Sequence, residues 1–365
     1  MRAATRPNLI VAAGYSLVEL LVSMAVITIV MGTTLAGLAD VMRGNEMVMT
    51  ISSMNNALRA GMDIMVRDML QAASGLPSSK TVGIPNGAGS ARVRLPGPQG
   101  TAFQTVAADE VLPAVIPWSG GGPVIDGVAT DVVMILTADN AFLDVGLTAV
   151  ANSQVTIAAG PTLGAGPDRV MAGQLMMISK GSFNTLVQVT DVNVGARVLT
   201  FADGDSLSLN QAGAAGGNLP ALNAEAPVND ATATRITRMR MLTYYIDNVT
   251  DPSRPRLVRR INNGDWQTFN NSLGTAVAMD TWDLQFTYDI SNGTNNPGGV
   301  EMNAADLGAG GACAPDACAR TQIRKINLIL TSRGPTRVGS TSFMANTLRS
   351  QVSLRAMAFV DRYRE

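Results

Sequence analysis

Between Leu20 and Ala39 the chain carries no charged residue. As a helix rising about 1.5 Å per residue, this stretch covers about 30 Å, the thickness of a bilayer's hydrocarbon core. After Asp40 the pattern becomes one-sided. Met47, Ile51, Met54, Leu58, Met62, Met65 and Met69 recur every three or four residues, while Asn45, Glu46, Ser52, Asn56, Arg59, Asp63 and Arg67 take much of the opposite side. Proline is absent between Pro7 and Pro77, and the "SGLP" at 74–77 combines a glycine stop with a following proline. One helix is predicted from Tyr15 to about Ala73, about 88 Å long. Residues 15–39 call for lipid or neighbouring helices, and residues 40–74 for a folded domain. The methionines read as adaptable core packing against a sheet rather than as a metal or cofactor stripe.

Residues 75–234 alternate short apolar runs with Gly-, Ala-, Pro- and Asn-rich stretches. "DVVMILT" (131–137), "QLMMIS" (174–179), "TLVQVT" (185–190) and "ARVLTF" (196–201) are predicted strands, the last three forming a small antiparallel meander. "GAAGGNLPALNAEAP" (213–227) reads as loop. The signal strengthens in residues 235–365. In "TWDLQFTYDI" (281–290), Trp282, Leu284, Phe286, Tyr288 and Ile290 alternate with Thr281, Asp283, Gln285, Thr287 and Asp289, the signature of an antiparallel strand covered on one face. "MLTYYID" (241–247), "RKINLILTS" (324–332) and "SQVSLRAMAFVDRY" (350–363) are further predicted strands. The methionine stripe is the natural cover for the apolar face, which gives an α+β arrangement.

Composition narrows the chemistry. Lys+Arg number 27 and Asp+Glu 28, with no basic run, so nothing points to nucleic acid. Histidine is absent, which removes His-based triads, imidazole metal sites and the commonest general base. No phosphate-cradling motif follows "SGGGP" (119–123) or "GAGP" (164–167). Asp247, Asp251, Asp280, Asp283 and Asp289 sit near turns but match no EF-hand spacing, so solvated turn carboxylates are the expectation and calcium stays open. Asn248, Asn270 and Asn292 stand in N-x-S/T triplets at ordinary frequency. An enzyme is not expected, nor any cofactor or metal. Cys313 and Cys318 are too few for zinc and not spaced C-x-x-C; a disulfide in an oxidising compartment is the reading, with free thiols the alternative.

One residue breaks the N-terminal pattern: Glu19, an acid at the head of the apolar run. A secretory signal cleaved after "GLA" (37–39) and a plain anchor with Glu19 snorkelling to the headgroups are two readings. The third is carried by "G-YSLVEL" (14–20), preceded by a short leader whose charges are Arg2 and Arg6. This resembles the processing site of type IV prepilins and of type II secretion pseudopilins. The resemblance implies that residues 1–14 are a leader cut by prepilin peptidase after Gly14, that Tyr15 becomes the methylated N-terminus (where the family more often has phenylalanine), and that Glu19 pairs with the N-terminal amine of a neighbouring subunit. Replacement of Glu19 by alanine is then expected to leave insertion and processing intact and to block filament entry. Positive charge before the span and none immediately after it places the N-terminus in the cytoplasm.

More loosely, "LTYYIDNVTDPSRPRLVRR", "TWDLQFTYDI" and "LRSQVSLRAMAFVDRY" resemble the C-terminal region of PilW-type minor pilins and J-type pseudopilins. That likeness implies a pilin-like fold and a minor subunit that primes or caps a type IV pilus. Its partners would be other minor and major pilins, prepilin peptidase, the inner-membrane assembly platform and the lipid bilayer. The globular part would be periplasmic before assembly and at the cell surface after it. A type II secretion pseudopilin shares every N-terminal feature and stays open, as does a tip-located adhesin, for which Trp118 is the only tryptophan in the middle region.

Overall fold

The computed structural model describes residues 14, 16–85, 93–98, 102–104, 111–166, 169–211, 213, 217–225, 231, 233–262, 274–291, 293, 295–336 and 342–357. The chain divides into two compact units, residues 1–52 with 335–343 and residues 53–334 with 344–365.

In the first unit the dominant element is the opening part of helix α1, which as a whole runs Leu17–Leu70. Large apolar side chains there are exposed, among them Leu17, Leu21, Ile29, Met31 and Leu35. Met47 and Ile51, the first two members of the expected methionine stripe, are exposed as well.

In the second unit, Met54, Leu58, Met62, Met65 and Met69 are buried, so the stripe functions as core packing from residue 54 onward. The helical ladder stops at Leu70, slightly short of the expected Ala73, and a run of turns carries the chain to Gly75. Gly75 adopts φ +69°, and a Cβ there would lie 2.3 Å from the Ala138 Cβ, so only glycine fits this exit. Gly61 has a different task. Its missing side chain lets the helix approach Leu257 and Ala278, each 3.0 Å from where a Cβ would sit.

Eleven strands form the main sheet of this unit: β1 (Val115–Trp118), β2 (Val132–Ala138), β3 (Val145–Val150), β4 (Gln154–Ile157), β5 (Leu175–Lys180), β6 (Phe183–Gln188), β7 (Asp191–Asn193), β8 (Val198–Thr200), β9 (Thr234–Asp247), β10 (Arg256–Ile261) and β11 (Thr275–Ala278). Its axis is β9, 14 residues long. The first half of β9 pairs with β5 and β3, the second half with β2 and β10, all antiparallel. The sheet thus draws strands from both sides of position 234. Three two-stranded ribbons join 81–83 to 111–113, 94–96 to 102–104, and 124–125 to 128–129.

The predicted meander is replaced by two hairpins. β5 pairs with β6, whereas β8 pairs with β7 and β4 rather than with β6. The physical reason is β4, a short strand whose Val155 and Ile157 supply the apolar partners that β8 needs. Within 213–227, expected to be loop, residues Asn218–Ala224 form helix α2, with Leu219 and Leu222 buried in a second apolar cluster alongside Phe142, Val155, Leu199, Phe201 and Ile236.

A separate three-stranded sheet holds β12 (Thr281–Ile290), β13 (Ile323–Pro335) and β14 (Phe343–Ser353). Leu284, Phe286 and Tyr288 pair with Leu330, Leu328 and Ile326, so the alternation read in the sequence becomes one continuous apolar face. That face and the helix residues Leu58, Met62, Met65 and Met69 belong to the same core. Trp282 is the exception among the five predicted core positions, half-buried with the Arg333 guanidinium 4.6 Å from its ring centroid. The closing strand runs 343–353 rather than 350–363; a short 3₁₀ turn follows at Arg355–Met357, and 358–363 lie outside the described residues. The whole is α+β: a long helix packed through its second half on antiparallel sheets.

Candidate functional site

The N-terminal site is built by the residues that start α1. Ser16 is the N-cap: its carbonyl accepts the Leu20 N–H at 3.2 Å, the first bond of the helical ladder. The Ser16 Oγ accepts the Glu19 N–H at 3.3 Å, and the Glu19 carboxylate accepts the Ser16 N–H at 3.1 Å. This is a reciprocal capping box, which satisfies two backbone donors that a helix end otherwise leaves bare. Glu19 also lies in the first turn, where the helix dipole favours negative charge. The S-x-x-E spacing that announces such a box stands in "YSLVEL", a four-residue signal beside a much longer apolar run.

Further along, the hydroxyls that would otherwise be costly in lipid are internally bonded. Ser23 donates to the Leu20 carbonyl (2.9 Å), Thr28 to Met24 (2.7 Å), and Thr33 and Thr34 both to Val30 (2.9 and 2.7 Å). The helix is long and apolar enough to cross a membrane, and none of the residues in its most apolar stretch is buried. Polarity returns at the Asp40–Arg43 pair, 3.0 Å apart. Gly14 is exposed ahead of the helix; Tyr15, the expected new terminus, lies outside the described residues.

The other residues singled out from the sequence are scattered and locally engaged. Cys313 and Cys318 form a disulfide and are both buried. Asp247 accepts from Val249 N–H, Thr250 Oγ1 and Arg256 Nε, and burial, which pushes its carboxyl up, is outweighed by these bonds so that it sits below its ordinary value. Asp251 bonds Ser253, Asp280 takes both arms of Arg254, Asp283 accepts from Gln285, and Asp289 faces Asn327, Gln351 and Lys325. Among the described residues no three acids or thiols converge as a metal site would require. Asn270 and Asn292 lie outside the described residues. Trp118 packs against Val132, Tyr245 and Val258.

Sequence reading missed three buried charge centres. Asp139 accepts from Arg238 Nε (3.0 Å) and Arg240 Nη2 (2.6 Å). Asp131 accepts from the backbone N–H of Gly120 (2.7 Å) and of Phe286 (2.8 Å), and burial raises its pKa. Asp68 accepts from Tyr244 and Arg259. These tie strands or the helix to neighbouring elements.

Residues 11–35 match the family model of the prokaryotic N-terminal methylation motif. No curated protein and no solved structure matches the chain. The matched segment covers Gly14, the capping box and the first half of the exposed apolar helix, and by that motif and that helix the chain carries the N-terminus of type IV pilins and pseudopilins, the class processed by prepilin peptidase.

Proposed function

We propose that this protein is a minor pilin that primes or caps a type IV pilus. The observation that carries the reading is the coincidence of the methylation motif at 11–35 with an exposed apolar helix beginning at Leu17. Prepilin peptidase cuts between Gly14 and Tyr15 and the new amine is methylated. The helix holds the subunit in the inner membrane with its N-terminus cytoplasmic, and an assembly platform passes it into the filament. Glu19 pairs there with the N-terminal amine of the adjacent subunit, since a carboxylate packed among apolar helices is costly without such a partner. The work is assembly rather than catalysis, in keeping with a chain devoid of histidine.

A minor role is supported by the large globular part, with an 11-stranded sheet and two large apolar clusters beside a small third one, which is bulky for a subunit repeated at every filament step. The test is mass spectrometry of sheared filaments and of the secretome. A few copies of this chain per filament, starting at N-methylated Tyr15, support the reading. A start at Asp40 would make it a soluble exported protein, and a secretion defect without filament loss on deletion would make it a pseudopilin.

A further inference from the structure

The capping box places the start of the helix close to the bond that processing must break. Ser16 is two residues beyond Gly14, and its carbonyl opens the helical ladder by accepting from Leu20. Hydrolysis adds water across the Gly14–Tyr15 amide, leaving a carboxylate on the leader and an amine on Tyr15. The Gly14 carbonyl carbon must be open to that water. Inside an α-helix the same carbonyl would be held by the N–H four residues on, that of Val18, and hemmed in by the turn around it. The residues upstream do not themselves oppose such an extension: Val11, Ala12 and Ala13 include two of the best helix formers. Gly14 alone is a weak stop. What fixes the boundary is the pair of bonds between Ser16 and Glu19.

Building on the processing reading above, we propose that Ser16 is a positioning residue for leader cleavage: with Glu19 it ends the helix short of the scissile bond and so presents Gly14–Tyr15 to the peptidase. Glu19 thereby has a task before assembly that needs only an acceptor atom, in addition to the later one that needs a charge. A variant lacking the box spends more of its time with the helix run upstream, and its apparent kcat/KM falls by the competent fraction lost.

The experiment follows full-length protein in proteoliposomes with purified prepilin peptidase, the initial rate being read from loss of the 14-residue leader by mass. Ser16→Ala should be cut about fivefold more slowly, the size expected for loss of an N-cap. Ser16→Asn, which caps equally well with a different side chain, should recover most of the rate. Glu19→Gln, which keeps the acceptor, should be cut like the unmodified chain. Cutting of Ser16→Ala at the unmodified rate overturns the proposal, and so does equal slowing of Ser16→Ala and Ser16→Asn, which would mean that the enzyme reads serine itself. If the unmodified chain resists a peptidase that cuts another prepilin in the same vesicles, it is the processing reading that fails.

Discussion

Arg259 on β10 donates its Nε to the Asp68 carboxylate at 2.6 Å, joining residues 191 positions apart. The same oxygen accepts the Tyr244 hydroxyl from β9. Burial, and then the neighbouring Asp68 charge, push the Tyr244 hydroxyl well above its ordinary pKa, so it stays a neutral donor. One carboxylate in the last turns of the helix therefore fixes two adjacent strands, at a place where the surrounding contacts are methionines and leucines that could slide.

Replacing Asp68 by alanine leaves a guanidinium and a hydroxyl facing an apolar core. Removing one partner of a buried ion pair costs about 3–5 kcal/mol, and the half-open setting of Arg259 puts this site at the lower end. Tyr244→Phe removes one neutral donor and should cost about 1 kcal/mol. Urea unfolding of the region beyond residue 52 reads both. Equal, small losses for the two variants would mean that the Arg259 pair contributes nothing.

Acid should loosen the fold through a different centre. Burial raises the Asp139 carboxyl, but the Ala141 N–H and the Arg238 and Arg240 guanidinium groups more than offset it, and its pKa is lowered. A lowered folded pKa gives stability that is complete above the ordinary carboxylate value and is lost as pH falls through the folded one. Asp247 behaves alike. Asp131 has the opposite sign: its raised pKa makes its contribution fall as pH rises through the carboxylate range. The urea midpoint should therefore drop between pH 5 and 3 in the unmodified chain, and drop less in Asp139→Asn. An identical slope in that variant would show that other carboxylates carry the acid response.

How much of this could be read in advance depended on whether one face of an element met water. β12 alternates because its outer side carries Asp283, Gln285, Thr287 and Asp289, so its strand and its inward face were plain in the sequence. β9 is buried on both sides along most of its length, and a strand without a wet face has no alternation to betray its 14 residues. β14 misled in the other direction. Its outward positions are Ala345, Thr347, Arg349 and Gln351, its inward ones include Asn346 and Ser350, and the more apolar "RAMAFV" beyond it drew the expected strand downstream. In α2, seven residues give too few turns for a helical period to show. At the N-terminus Ser16 and Glu19 belong both to the motif and to the cap, and the twenty-residue apolar run beside them is a much stronger signal than a four-residue S-x-x-E spacing.

The disulfide closes a short loop, with a sequence separation of 5. Cross-linking so few residues removes little freedom from the unfolded chain, about 2 kcal/mol on the loop-entropy estimate. Both cysteines nevertheless belong to the main core, with Ile323 and Ile326 in the same cluster. Replacing both by serine should lower stability by at least that amount, since two hydroxyls would then be buried among apolar groups. Reductant should have the smaller effect, because thiols pack there more easily than hydroxyls. Denaturant midpoints with and without reductant, compared with the double variant, decide this; a larger loss on reduction than on substitution would contradict it.

Glu19 offers the sharpest test of assembly, because its two tasks can be separated. Alanine would remove the cap acceptor and the charge together, so the intact processing that the motif alone implies for Glu19→Ala gives way to slower cutting once the cap is counted. Glutamine keeps an acceptor for the Ser16 N–H and removes only the charge. If Glu19 pairs with a neighbour's amine, Glu19→Gln should be inserted, cut after Gly14 and methylated like the unmodified chain, yet enter filaments poorly. A charge-assisted bond is worth about 1.5–3 kcal/mol, which corresponds to roughly tenfold to a hundredfold less incorporation. Quantitative mass spectrometry of sheared filaments against the membrane pool gives the ratio. Incorporation within twofold of the unmodified chain would leave Glu19 as a helix cap alone, and the apolar helix would then have to find its register in the filament by side-chain packing.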